Sequence, residues 1–246
     1  MKTSNKLLLG FLIVILIGIT TVISIARLRV DSNTIKANGK AKTHIEFIKN
    51  FDKINIKGKF KVHLMQGDST QLEIRTSENL IPLVVSTVEK GELEIYLKNR
   101  ISDKDRIELF LTAAVINSLE VSEGAQLNSE GLINGDSLNL KGIAGSEVTL
   151  SLNYKSLDAE SHAGSSLNLS GKSIKAKIIS TSGALIKASN LIIEECHAEA
   201  NSGAVAEINV AKNLEVKANS GGLVSYSGNP NIKNIESNSG GSIQKK

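Results

Sequence analysis

Tryptophan is absent, aromatic residues make up only 3% of the 246 positions, and there is a single cysteine. One cysteine excludes an intramolecular disulfide framework. The missing aromatics exclude a stacking platform for bases and weaken any sugar platform. Arginine does not occur after Arg106, and between residues 117 and 246 the only aspartates are Asp136 and Asp158. A β-helical polysaccharide lyase or hydrolase needs clustered carboxylates with a basic residue or a metal on adjacent coils. The bidentate arginine clamp for acidic sugars is missing from that region as well. No Gly-x-Ser-x-Gly elbow and no phosphate loop are present. Net charge is +4, and without residues 1–25 the balance is 27 − 25 = +2, which leaves no electrostatic footprint for nucleic acid.

Hydrophobic residues still reach 41%, so small aliphatic side chains must fill the interior. That suits a narrow fold. In the second half Gly124, Gly145, Gly164, Gly183, Gly203, Gly221 and Gly240 recur at intervals of 21, 19, 19, 20, 18 and 19 residues. Each is followed by Ala, Ser or Gly. Five positions earlier stand Leu119, Leu140, Ala159, Ile178, Ala198, Val216 and Ile235; three positions later stand Leu127, Val148, Leu167, Ile186, Ala206, Val224 and Ile243. A fixed period near 20 residues marks a stacked solenoid. Around each glycine apolar and polar residues alternate, as in Leu214-Glu215-Val216-Lys217-Ala218, which is a strand with one wet face. No helical i, i+3, i+4 pattern fits between the glycines. The expectation is an all-β parallel β-helix of about seven coils, stacked at about 4.8 Å per step to about 30 Å.

Glycine at each corner supplies positive φ, and the small neighbour lets coils approach. The last corners read Asn201-Ser202-Gly203, Asn219-Ser220-Gly221 and Asn238-Ser239-Gly240, with Thr181-Ser182-Gly183 before them. Stacked in register, the amides and hydroxyls of Asn201, Asn219, Asn238, Ser182, Ser202, Ser220 and Ser239 form a polar ladder. Asparagine also tolerates the left-handed backbone of a sharp corner. The ladder reads either as structural or as a stripe that binds glycans.

Leu7 to Ile25 carry no charge over 19 residues, with Lys2 and Lys6 before them and Arg27 and Arg29 after. That length spans a bilayer core as a helix. A signal-anchor, uncleaved, is the preferred reading; a signal cleaved near Ser24-Ile25-Ala26 is the alternative. No cysteine lies near enough for a lipid-modified anchor. The chain thus divides into an anchor (1–30), a linker (31–43), a β head (44–116) and the solenoid repeats (117–246). The head reads as hairpin-linked antiparallel strands at Ile54–Leu64 (interrupted at Gly58), Leu72–Ile74, Val84–Val88, Leu93–Leu97 and Ile107–Leu111, with a short helix or turn at 79–82. A sandwich-like cap would cover the open end of the coil.

The run Phe51-x-x-Ile54-x-Ile56-x-Gly58-x-Phe60-x-Val62-x-Leu64-x-Gln66-Gly67 resembles the opening of the head GIN domain family. Glu78-Asn79-Leu80, Gly91-x-Leu93-x-Ile95 and the Gly-Ala and Gly-Ser repeats extend the resemblance over about residues 44–246. It implies an exported, β-helical adhesin head of the kind found in envelope proteins of Bacteroidetes-type bacteria. It carries over no catalytic residue and no defined ligand.

Glu194-Glu195-Cys196-His197 is the densest group of chemically active side chains. On a strand Glu195 and His197 share the outer face while Cys196 points inward, in register with Leu138, Leu157 and Leu214. His44, His63, His162 and His197 show no metal-ligand spacing, so no metal and no cofactor is expected. The expected function is a membrane-anchored envelope protein presenting a polar β surface to a glycan or protein. A β-helical carbohydrate-active enzyme or lectin and a self-associating scaffold are the alternatives. The C-terminal edge, Ile243-Gln244-Lys245-Lys246, either pairs with a second copy as a homo-oligomer or is blunted by its lysines.

Overall fold

The computed structural model describes residues 11–21, 34–102 and 105–246. Residues 11–21 are helical and exposed. No described helix is long and apolar enough to cross a membrane. The expected transmembrane helix therefore has no support here, and residues 7–10 and 22–25 of the apolar stretch lie outside the described residues.

Eight short strands come first: β1 (Ala41–Phe47), β2 (Lys53–Lys57), β3 (Phe60–Gln66), β4 (Gln71–Ser77), β5 (Val84–Glu89), β6 (Glu92–Leu97), β7 (Ile107–Ala113) and β8 (Ser118–Ser122). Five long ones follow: β9 (Gln126–Gly142), β10 (Glu147–Ser161), β11 (Ser166–Thr181), β12 (Leu185–Asn201) and β13 (Val205–Asn219). The last coil is built from β14 (Leu223–Ser227), β15 (Asn231–Asn238) and β16 (Ser242–Lys245). The long strands pair in parallel with their successors, and each serves two walls. The first half of β9 pairs with β3, and its second half with β8. About seven turns are formed.

The repeat positions stack as expected. Leu119, Leu140, Ala159, Ile178, Ala198, Val216 and Ile235 are register partners in sequence. So are Leu127, Val148, Leu167, Ile186, Ala206, Val224 and Ile243. Each interior column buries its side chains completely until the last coil, where Ile235 is 49% exposed. Burying such a side chain is worth about 1.5–3 kcal/mol, so the coils are held mainly from within.

The head differs from the expected antiparallel sandwich. Among the described residues antiparallel pairing joins only β1 to β4, β4 to β7, and β5 to β6. By contrast, β2 pairs in parallel with both β6 and β8, and β3 in parallel with both β7 and β9. Leu93 and Ile54 extend the Leu119 column, and Leu109 and Val62 extend the Leu127 column. The head is thus two further coils of the same helix, and one core runs from Phe51 to Val224. The chain builds them out of order: residues 53–66 form the coil beside β8, and residues 92–113 the coil outside it. Gly58, with φ +113°, divides the alternating run because it is a coil corner. The expected short helix is a 3-10 turn at Ile81–Leu83. Lys90 and Gly91, both at positive φ, close the β5–β6 hairpin.

Candidate binding surfaces

Each repeat corner is a two-residue turn in which both central residues have positive φ. Ser202 and Gly203 lie at +53° and +70°, and the other six corners match them. Positive φ at both positions is the signature of a type I′ turn. The residue after each glycine donates its N–H to the carbonyl three positions back, at 2.9–3.3 Å. From Gly124 to Gly221 each corner glycine also donates to the carbonyl of the residue before the next glycine, at 3.1–3.2 Å.

This changes the role of the expected ladder. Asn201, Asn219 and Asn238 are aligned, but the left-handed residues are Ser182, Ser202, Ser220 and Ser239. The asparagines hold the first turn position, which does not need positive φ. Asn201 turns its amide to Glu199 of its own coil at 2.8 Å. The glycine N–H groups tie coil to coil at the corner, and at the first turn position the His162 ring lies 2.7 Å from the Thr181 hydroxyl of the next coil. Inside the corner, the Ser165 hydroxyl donates to the Gly142 carbonyl at 2.7 Å and lies 2.8 Å from the Ser161 hydroxyl, whereas the buried Ser180 hydroxyl one coil on has no hydrogen-bond partner among the described residues.

Outward side chains form columns on the two walls. On one wall Asn128, Thr149, Asn168, Lys187, Glu207 and Gln244 stand in register, with the buried Ser225 at the level between Glu207 and Gln244. Beside them the Asn153 amide donates to Asn134 at 3.3 Å. The other wall carries side chains that satisfy each other: the opposite charges of Lys141–Glu160 at 3.5 Å and Lys217–Glu236 at 3.2 Å, and the His197–Glu215 contact at 3.4 Å. Burial opposes the charge on Glu160, but the hydrogen bond from His162 and the nearby Lys141 hold its carboxyl below the usual range.

The histidines do not converge. His44 meets Glu46, His63 meets Glu130, His162 meets Glu160 and His197 meets Glu215. Among the described residues no group of three His, Cys, Asp or Glu side chains could hold a metal ion. Cys196 is buried between Ala176 and Leu214, and burial pushes its thiol up to about 12. Phe110 is flanked by His63, stacked at 4.6 Å between ring centroids, and by Arg75 at 4.0 Å. Neither ring face is open to a sugar.

Two features were not read from the sequence. Tyr154 is buried and its hydroxyl donates to the Ile116 carbonyl at 2.8 Å; Gly135 makes room for its ring. Its place in the alternation of Val148, Leu150 and Leu152 was the available signal. The second is a cleft of about 610 Å³ on the corner edge of the head. There the outermost coil replaces the tight turn with residues 98–106, and the row of corners opens. Lys57, Lys59, Lys98 and Arg100 line it against Glu94 and Glu123. Lys57 is committed to Glu94 at 2.6 Å, a bond that raises its ammonium above the usual lysine range against the opposing effect of burial. Nothing in the spacing of these residues brings them together, because they come from three different coils.

Solved structures share the fold. A putative adhesin from Bacteroides fragilis is 20% identical, with a TM-score of 0.80 over 86% of this chain and 100% of its own. A putative adhesin from Parabacteroides distasonis is 17% identical, at 0.72 over 87% and 100%. A putative lipid binding protein from the same species is 17% identical, at 0.67 over 87% and 99%. No curated protein matches the chain. A family profile does match, over residues 50–230, and by it the chain belongs to the family described as "Putative auto-transporter adhesin, head GIN domain".

Proposed function

We propose that the chain is a non-enzymatic protein of the cell envelope, held at a membrane by the apolar stretch 7–25, with an exported β-solenoid that binds a glycan or protein partner. Family membership supports the adhesive reading. The observation that carries it is the register-aligned column from Asn128 to Gln244, a row of hydrogen-bonding and charged groups repeated at about 4.8 Å. Such a row matches an extended polymer better than a compact substrate. The opposite wall spends its charges on its own ion pairs; in this column Glu207 is paired with Lys246 at 3.1 Å and the other positions offer hydrogen-bonding groups and Lys187.

Protease shaving of whole cells, spheroplasts and lysed cells tests the placement. Digestion of the body on whole cells supports adhesion. Protection until the outer layer is opened would assign a periplasmic role and end the adhesion reading. Alkaline carbonate extraction of the membrane fraction reads the anchor separately, since an anchored chain stays in the pellet.

A further inference from the structure

We infer that the cleft at the head is a docking site for the phosphate headgroups of anionic phospholipids in the membrane that anchors the chain. This rests on the anchored reading above and adds a contact that the anchor alone does not make.

The cleft carries four cations and two carboxylates, a net of 4 − 2 = +2. The body after residue 25 carries 27 − 25 = +2 in total, so the rest of it balances to zero. Lys57 and Lys59 are already engaged within the protein. Lys98 and Arg100 are exposed and carry no ion pair among the described residues. Two uncompensated cations at the mouth suit a phosphate diester, and Tyr96, Leu97 and Ile101 add an apolar wall for the glycerol and upper acyl carbons.

The path of the chain puts the cleft beside the segment that leads back to the apolar stretch. Ile35 donates its N–H to the Arg100 carbonyl at 2.9 Å and accepts from the Ser102 N–H at 3.0 Å. The Ala37 N–H is held by Asp105 at 2.7 Å, and the Asn38 N–H by Asn79 at 2.8 Å. Ile35 and Ala37, in the segment expected to be linker, are thus pinned to the loop that builds the cleft, and Asn38 to the β4–β5 connection. Ile35 comes only ten positions after Ile25, the end of the apolar stretch. Fully extended, that span reaches about 35 Å. A bilayer surface is then always within reach, at a high effective concentration, and anionic headgroups attract cations held within a Debye length.

The test mixes the full chain with vesicles of phosphatidylcholine alone or with about one-third phosphatidylglycerol, and measures the acylation rate of each lysine by mass spectrometry. Lys98 should slow about fivefold or more only with phosphatidylglycerol, while Lys172 and Lys187, exposed on the solenoid, should not change. The Arg100→Glu variant should restore Lys98 labelling, with Arg100→Gln as the milder version if the first destabilises the loop. Equal Lys98 rates in both vesicles would overturn the proposal, as would equal slowing at Lys172. Slowing by inorganic phosphate or polygalacturonate in phosphatidylcholine vesicles, to the same extent, would reassign the site to a free phosphate or an acidic glycan and end the membrane assignment. Flotation of the chain with pure phosphatidylcholine vesicles reports the anchor independently, so failure of one reading is visible apart from failure of the other.

Discussion

The coils between residues 117 and 246 follow one another in the chain, whereas the two head coils are assembled from segments that leave and return. Both obey the same geometry, because Leu93 and Ile54 occupy the interior column that Ile178 occupies further along. They differ at the corner. Two-residue turns close the repeat coils flush. The nine residues between β6 and β7 cannot close flush, so that corner becomes a cleft. A solenoid of this kind keeps its stability in the repeated interior and its variety where a corner is lengthened.

The sharpest way to break that picture is at a backbone contact. A Cβ at Gly171 would sit 2.0 Å from the Leu152 carbonyl oxygen, and its φ is +109°. Gly171→Ala should cost about 3 kcal/mol or more in urea unfolding. If head and repeats are one core, Leu93→Ala and Ile178→Ala, both fully buried, should each cost about 3 kcal/mol and keep a single transition. Two separate transitions would show that the head is its own unit. Tyr154→Phe should cost about 1–2 kcal/mol, because the Ile116 carbonyl loses its buried donor.

Gly203→Ala meets open space but keeps φ at +70°, so about 1 kcal/mol is expected, well below Gly171. A comparable loss at the two glycines would mean that turn strain, and not coil spacing, governs the stack. The smallest effect concerns the charged wall. Glu160 has a lowered folded pKa, so its contribution is fully present above the ordinary glutamate value of about 4.3 and is lost as pH falls through the folded value. Glu160→Gln should flatten the acid limb of a stability-versus-pH curve by less than about 1 kcal/mol, since the pair is partly solvated.

The repeat was legible because its physics is local. A left-handed corner selects glycine, a buried strand position selects an aliphatic residue, and both recur with the coil length. Cys196 could be placed beside Leu214 by counting alone. That the serines and not the asparagines are left-handed is not legible, because the sequence shows which residues share a corner but not which of them takes the central turn positions. The head strands were legible one by one, yet their order was not. Alternation in Leu93–Leu97 is the same whether the strand pairs with a hairpin partner, with β2, or with both, as it does here.

The sequence by itself determined the coil, its period, its inward columns and its corner glycines, since each depends on conformational preference and burial within about twenty residues. Only the tertiary structure decided that residues 92–113 slide outside residues 53–66 and that Lys57, Lys98 and Arg100 meet at one edge. Those placements depend on backbone pairing and charge proximity between segments tens of residues apart, and no local preference encodes them.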